Sequence, residues 1–145
     1  MGDFYKKGNI IFQKGSCENF MYVVESGSVG IYLDYGQSYQ KELAVVNDGI
    51  IGEMGFFCKE LRSATGVALE DTELTRIDDS NYKEYFDSNP TRLVSLFSTV
   101  SDRLKNVNSN YSKACSLLDE YNSLVEKNET PNDTLIEEMK KLVGR

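Results

Sequence analysis

The first half of the chain consists of short apolar segments separated by glycine-containing turns. Between Phe4 and Ile77 these segments are four to eight residues long and rich in Ile, Val, Tyr and Phe: NIIF, FMYVVE, SVGIYLDY, YQKELAVV, SATGVALE and ELTRI. Segments of this length and composition predict β-strands. Six of them at this spacing favour a sandwich or a jelly-roll barrel. Gly66 interrupts one segment, which predicts a bulge or a close approach of another group.

After Ile77 the pattern becomes helical. Cap-forming residues follow Asp78 and a proline closes the stretch at Pro90, which predicts one short helix. Beyond Pro90, apolar residues recur at spacings of three and four: Phe97, Val100, Leu104, Val107, Tyr111, Ala114, Leu118, Tyr121 and Val125. This heptad seam, widened by Leu117 and Leu124, predicts a long helix. Such a helix extends about 50 Å, so we expect it to dimerise, with packing on its own chain as the alternative.

The pattern divides the chain into three segments and predicts an α+β protein that is mainly β. Residues 1–89 form the barrel with its short helix, residues 90–127 the long hinge and dimerisation helix, and residues 128–145 a short amphipathic helix. The sequence leaves open where the last helix docks.

The signals for the last helix are local. Thr130 is expected as its N-cap, Pro131 as its first residue and Gly144 as its stop. Its apolar face consists of Leu135, Met139 and Leu142.

Composition excludes several functions. The chain has 145 residues and no histidine, which removes imidazole bases, Ser-His and Cys-His pairs and the usual zinc sites. We therefore expect no enzyme, metal or cofactor. The formal charge of −7 opposes binding to DNA, and the lack of a signal sequence or long apolar run predicts a cytoplasmic protein without a membrane partner. The cysteines, Cys17, Cys58 and Cys115, lack CxxC spacing and are expected as reduced, small buried side chains.

The stretch GEMGFFCKELRSAT, from Gly52 to Thr65, contains the chain's one clear binding signal. It places Glu53 directly after a glycine and Arg62 nine residues later. An arginine presents a planar fork of donors that matches phosphate oxygens, and a carboxylate accepts hydrogen bonds from sugar hydroxyls. The two residue types together suit a ribose phosphate. The alternative is an ordinary Glu–Arg surface pair across a loop.

This stretch resembles the phosphate-binding cassette of cyclic-nucleotide-binding domains, the family found in catabolite activator proteins and in regulatory subunits of cyclic-AMP-dependent protein kinase. The resemblance includes KGNIIFQKG, MYVVESGSVGIY, NDGIIGE and the long helix that starts at an Asn-Pro pair. It implies a jelly-roll (double-stranded β-helix) barrel with flanking helices and a long C-terminal helix. Relatives of the catabolite activator type continue into a helix-turn-helix module, for which little sequence remains after Val125, so we expect no DNA binding by this chain.

The resemblance also implies a binding site. Glu53 would accept a hydrogen bond from the ribose 2′-hydroxyl, Arg62 would pair with the cyclic phosphate, and Ser63 would add a hydroxyl. The remaining implied contacts are the backbone of Gly52 and Met54, the pocket wall at Ala64, base contacts around Val107 and Asn108, and Arg103 as a partner of Glu53. For Asn108 and Arg103 the alternative is an ordinary solvated helix residue.

The function implied by this resemblance is a regulatory sensor that binds a cyclic nucleotide and signals through a dimerising helix. Cyclic AMP is the expected ligand and cyclic GMP the alternative. The alternative hypothesis is a dimerisation or scaffold domain of a larger regulatory protein, with no ligand or with a divergent one.

Overall fold

The computed structural model describes residues 2–143, and Gly144, the expected stop of the last helix, lies outside them. The chain divides into two compact units, Met1–Leu96 and Phe97–Arg145. The strands are β1 (Gly2–Tyr5), β2 (Ile10–Phe12), β3 (Phe20–Ser26), β4 (Val29–Leu33), β5 (Lys41–Val46), β6 (Gly49–Ile51), β7 (Thr65–Ala68) and β8 (Thr72–Asp78). The helices are α1 (Glu53–Cys58), α2 (Tyr82–Ser88), α3 (Pro90–Glu126) and α4 (Asp133–Val143).

The strands of the first unit form two antiparallel sheets of four strands each, in the orders β1-β8-β3-β6 and β2-β7-β4-β5. Side chains from both sheets share one core cluster, which includes Phe12, Tyr22, Val29 and Leu74. This architecture confirms the α+β, mainly β jelly-roll expectation. The strands β1 and β6 had no sequence prediction, because both are short and lack a strong apolar run.

Strand β3 is buried on both faces. Successive side chains of a strand point to opposite faces. Tyr22 and Val24 therefore join the core between the sheets, whereas Met21 and Val23 join a second cluster with residues of α1, α2 and the start of α3. Burial on both faces explains the nearly continuous apolar run FMYVV. The face that carries Met21 and Val23 packs in the same cluster as Phe56 of α1.

The start of α3 is tied to the strands of the first unit by Arg92. Its guanidinium donates to Asp48 and lies 4.0 Å from the Glu25 carboxylate. These acidic partners raise the pKa of Arg92, chiefly through the Asp48 hydrogen bond. The long helix therefore begins at a point anchored on the end of β3 and on the loop that follows β5.

In the second unit, an ion pair joins α4 to α3. Lys113 Nζ lies 3.8 Å from Glu138 Oε2, and Leu117 and Leu135 are buried. Helix α4 is thus linked to α3 within this unit. Leu117 does not widen an exposed seam as expected, because it is 7% exposed whereas Leu118 is 51% exposed.

Three local predictions were wrong, two about the start of α4 and one about the cysteines. Helix α4 begins at Asp133, and the amide of Leu135 donates to Asn132 Oδ1 at 2.8 Å, so Asn132 takes the capping role expected of Thr130. Pro131 precedes that cap. The free cysteines are also less buried than expected, since Cys17 and Cys58 are exposed and Cys115 is intermediate.

Among residues 2–143, no helix has the length and apolar content needed to cross a membrane.

Candidate functional site

The candidate site is centred on Arg62, whose side chain is held inside the first unit. The residue is 3% exposed. Its Nε donates to Glu18 Oε2 at 3.2 Å, its Nη1 donates to the carbonyl oxygen of Gly52 at 2.6 Å, and its Nη2 donates to the carbonyl oxygen of Phe20. One carboxylate and two backbone carbonyls therefore fix the plane of the guanidinium, and each accepts from a different nitrogen.

Two aromatic rings line the same guanidinium. Arg62 Cζ lies 4.8 Å from the ring centroid of Phe12 and 5.3 Å from that of Phe20, distances typical of cation–π contacts. Gly66 makes room for the Phe12 ring, because a Cβ at Gly66 would lie 2.7 Å from it. The pairing of β2 with β7 also shifts register between Ile10 and Phe12. The oddity expected at Gly66 is thus a close approach beside an irregular pairing.

Gly52 connects the arginine to the acidic residue of the cassette. It caps α1 in the left-handed conformation, with φ 77° and ψ 12°, and Glu53 begins the helix. A Cβ at Gly52 would lie 2.4 Å from Arg62 Nη1, so this position requires glycine for its conformation and for the contact. Glu53 is 5% exposed. The alternative of a surface Glu–Arg pair is therefore wrong, because both side chains are buried.

The structure brings most of the expected cassette residues together. Gly52, Glu53 and Arg62 meet at the start of α1, and the chain continues through an exposed Ser63 into a buried Ala64. Met54 is 53% exposed. The roles of these residues toward a ligand stay predictions.

The expected residues of the long helix lie in the second unit, on α3: Arg103, Val107 and Asn108. Arg103 is intermediate in exposure, and Val107 and Asn108 are exposed. Their roles toward a ligand and toward Glu53 also stay predictions.

The sequence carries no local signal for Glu18, which pairs with Arg62 across 44 positions of the chain. Its neighbour Asn19 belongs to a second polar group, in which Lys59 Nζ donates to Asn19 Oδ1 at 2.7 Å and to both oxygens of Asp79 at 3.0 and 3.1 Å. The Lys59 hydrogen bond, supported by that of Asn19, holds the pKa of Asp79 below its ordinary value.

No group of three Cys, Asp or Glu side chains suited to a metal ion occurs in the described part of the chain. The site offers a buried guanidinium, a buried carboxylate and a hydroxyl within one loop and helix. These groups suit an anionic ligand that also carries hydroxyl groups.

Comparisons with known proteins agree with this chemistry. The model of the cyclic nucleotide-binding domain family matches residues 3–89. The cyclic AMP receptor protein of Thermus thermophilus is 30% identical over 102 residues, which cover 70% of this chain and 47% of that protein. The crystal structure of the Thermus thermophilus catabolite activator protein aligns with a TM-score of 0.66 and 28% identity over 81% of this chain and 55% of that one. The structure of cAMP-bound PfPKA-R aligns with a TM-score of 0.53 and 25% identity over 58% of this chain and 30% of that one.

These likenesses define a regulatory ligand-binding module built on a β-roll. The chain belongs to the cyclic nucleotide-binding domain family. It spans about half the length of the two Thermus relatives that it matches.

Proposed function

We propose that the chain is a non-enzymatic sensor that binds cyclic AMP at the site around Arg62. The observation that carries the proposal is the number of N–H groups that the hydrogen bonds of this guanidinium leave over. Arginine has five N–H donors, and each described bond uses one nitrogen once, which leaves a second N–H on both Nη1 and Nη2. A phosphate accepts from such a fork, and the buried position strengthens the charge interaction.

The other cassette residues complete the proposed site. Glu53 accepts the ribose 2′-hydroxyl and Ser63 donates its hydroxyl to the phosphate. Gly52 and Met54 supply backbone beside the ribose, and Ala64 forms part of the wall. The left-handed turn at Gly52 supports this arrangement, because it sets Glu53 directly beside the carbonyl that Arg62 holds.

The proposed ligand is cyclic AMP on the strength of two relatives, whose names state that one is a cyclic AMP receptor and that another was solved with cAMP bound. Ser63 alone suits both cyclic AMP and cyclic GMP. Val107 and Asn108 are proposed to contact the base, and Arg103 to pair with Glu53.

We expect the signal to leave the domain through a homodimer of α3. The seam residues Leu104, Tyr111, Leu118 and Val125 are 59%, 72%, 51% and 52% exposed. Apolar side chains at heptad spacing are typical of a helix that packs against a second copy of itself. If the ligand contacts the cassette and α3 together, its binding favours one orientation of the helix.

Calorimetric titration of cyclic AMP and of cyclic GMP into the unmodified protein tests the ligand. We expect cyclic AMP to bind more tightly, and Arg62→Lys to bind both weakly because an ammonium does not reproduce the fork. Equal affinity of the unmodified protein and Arg62→Lys contradicts the proposed phosphate contact.

A second candidate function is a dimerisation or scaffold domain without a ligand, and one observation favours it. Each of the three guanidinium nitrogens of Arg62 already has a partner within the protein, in Glu18, Gly52 or Phe20. Thermal melting separates the two functions, since a ligand at about 100 times its dissociation constant adds about 2.7 kcal/mol of stability. An unchanged melting temperature with either nucleotide at millimolar concentration favours the scaffold.

A further inference from the structure

The residue after α1 adopts a conformation that its side chain does not favour. Lys59 follows the helix with φ 55° and ψ 40°, in the left-handed region. Glycine is the usual residue at such a helix end, because a Cβ is strained there. A strained non-glycine residue persists only when surrounding contacts hold it in place.

The side chain of Lys59 supplies those contacts. Its ammonium donates to Asn19 and to both carboxylate oxygens of Asp79, and it lies 4.6 Å from the ring centroid of Phe56. Asn19 Nδ2 also donates to Asp79, which closes the group. We call Lys59, Asn19 and Asp79 the Lys59 clasp. It joins the end of α1, the loop before β3 and the start of the turn that leads into α2.

The clasp is the second of two links between the same pair of segments. Arg62 bonds to Glu18 and to the carbonyl oxygen of Phe20, the two residues that flank Asn19. Three residues earlier, Lys59 bonds to Asn19 itself. Segment 59–62 is therefore bonded at both of its ends to segment 18–20, through Lys59 to the middle residue and through Arg62 to the residues on either side of it.

We infer that Lys59 is a positioning residue for the phosphate site, acting through Asn19 on the partners that orient Arg62. This inference rests on the proposed function for its ligand, but its effect on Arg62 exists without one. The clasp is solvent-exposed, with side-chain exposures of 54% for Lys59 and 57% for Asp79. Exposed ion pairs make small contributions, so loss of Lys59 is expected to weaken nucleotide binding about two- to fivefold rather than abolish it.

The test compares Lys59→Met with Lys83→Met. Methionine keeps the unbranched stem and the strain at position 59 but removes the ammonium. Lys83 on α2 also lies over an aromatic ring, with Nζ 5.8 Å from the Tyr82 centroid, so its replacement removes the same charge and the same kind of ring contact. Asp79→Asn removes the ion pair of the clasp from its other side without touching the strained backbone, and it replaces Lys59→Met should that variant fail to fold.

Two readouts are measured on each protein. The first is the exchange rate with water of the Arg62 Nε–H by NMR, assigned through its loss in Arg62→Lys. The second is the dissociation constant of cyclic AMP by calorimetry. We expect Lys59→Met and Asp79→Asn to accelerate the exchange severalfold and to weaken binding, with Lys83→Met unchanged in both.

The two readouts keep the inference separate from the proposed function. Unchanged Arg62 exchange in both clasp variants overturns the inference, even if affinity falls, because the loss then does not pass through segment 18–20. Accelerated exchange with no nucleotide binding by the unmodified protein supports the clasp and overturns the proposed ligand instead. Accelerated exchange with unchanged affinity overturns the role in ligand binding.

Discussion

Arg62 Nη1 lies 2.6 Å from the carbonyl oxygen of Gly52, the residue directly before Glu53. This bond joins Arg62 to the residue beside Glu53, although nine positions of the sequence separate Glu53 from Arg62. It also explains the glycine, since any Cβ at position 52 would lie 2.4 Å from the same nitrogen. The acid, the glycine and the arginine thus form one local structure.

We therefore expect Gly52→Ala to destabilise the protein more than a left-handed conformation alone accounts for. A residue with a Cβ in that region costs about 1–2 kcal/mol. Gly36→Ala is the matched control, because Gly36 has a φ of 83° and no atom within 4 Å of an added Cβ. Urea unfolding of both variants measures the difference. Equal losses of unfolding free energy show that the contact with Arg62 carries no additional cost.

Removal of the arginine is expected to affect binding most. Arg62→Ala leaves a phosphate without its charged partner in a buried site, and losses of this kind are about 2–5 kcal/mol, or thirtyfold to several thousandfold in affinity. Arg62→Ala also removes internal bonds to three groups, so its melting temperature must be recorded beside the titration. Wild-type affinity for cyclic AMP in folded Arg62→Ala means that the anion lies elsewhere.

Glu53 faces a neutral hydroxyl in the proposed complex and is expected to matter less. A hydrogen bond to a charged group contributes about 1.5–3 kcal/mol, so Glu53→Ala weakens cyclic AMP binding by up to that amount. The decisive comparison uses 2′-deoxy cyclic AMP, which lacks the hydroxyl. The unmodified protein should discriminate between the two ligands and Glu53→Ala should not. Undiminished discrimination by the variant assigns the 2′-hydroxyl to another residue.

The expected and observed structures differ where distant segments meet. Strand composition predicted six of the strands, and the cassette residues were recognisable because they are close in the chain. Glu18 was not recognisable as the partner of Arg62, because 44 positions separate them and neither lies in a recognisable motif with the other. The burial of Leu117 was missed for a similar reason. A heptad pattern within α3 does not show which residues a distant segment of the chain covers.

The exposed seam of α3 predicts a homodimer in solution. Replacing Leu118 and Tyr121 by glutamate places charges in an apolar interface, where they lack partners, and should give monomers. Ser116→Glu with Ser123→Glu adds the same charge to exposed positions of the same helix and should leave the dimer intact. Light scattering at micromolar concentration measures the mass of each protein. A monomeric unmodified protein at high micromolar concentration contradicts the dimer.

The carboxylate of the Lys59 clasp should make stability depend on pH in the acidic range. Hydrogen bonds from Lys59 and Asn19 lower the pKa of Asp79 below its ordinary value of 3.8. The unfolded chain then binds the proton more readily than the folded protein, so the contribution of Asp79 is fully present above the unfolded pKa and is lost as pH falls through the folded one.

Asp79→Asn should accordingly be less stable than the unmodified protein at pH 7, and the difference should shrink as the pH falls below about 4. Urea unfolding at pH 7, 5, 4 and 3 measures this difference. Asp87→Asn on α2 removes a carboxylate outside the clasp and corrects for the change in net charge. A difference between Asp79→Asn and the unmodified protein that stays constant from pH 7 to pH 3 means that Lys59 does not select the charged form of Asp79, and the clasp then contributes no stability through its ion pair.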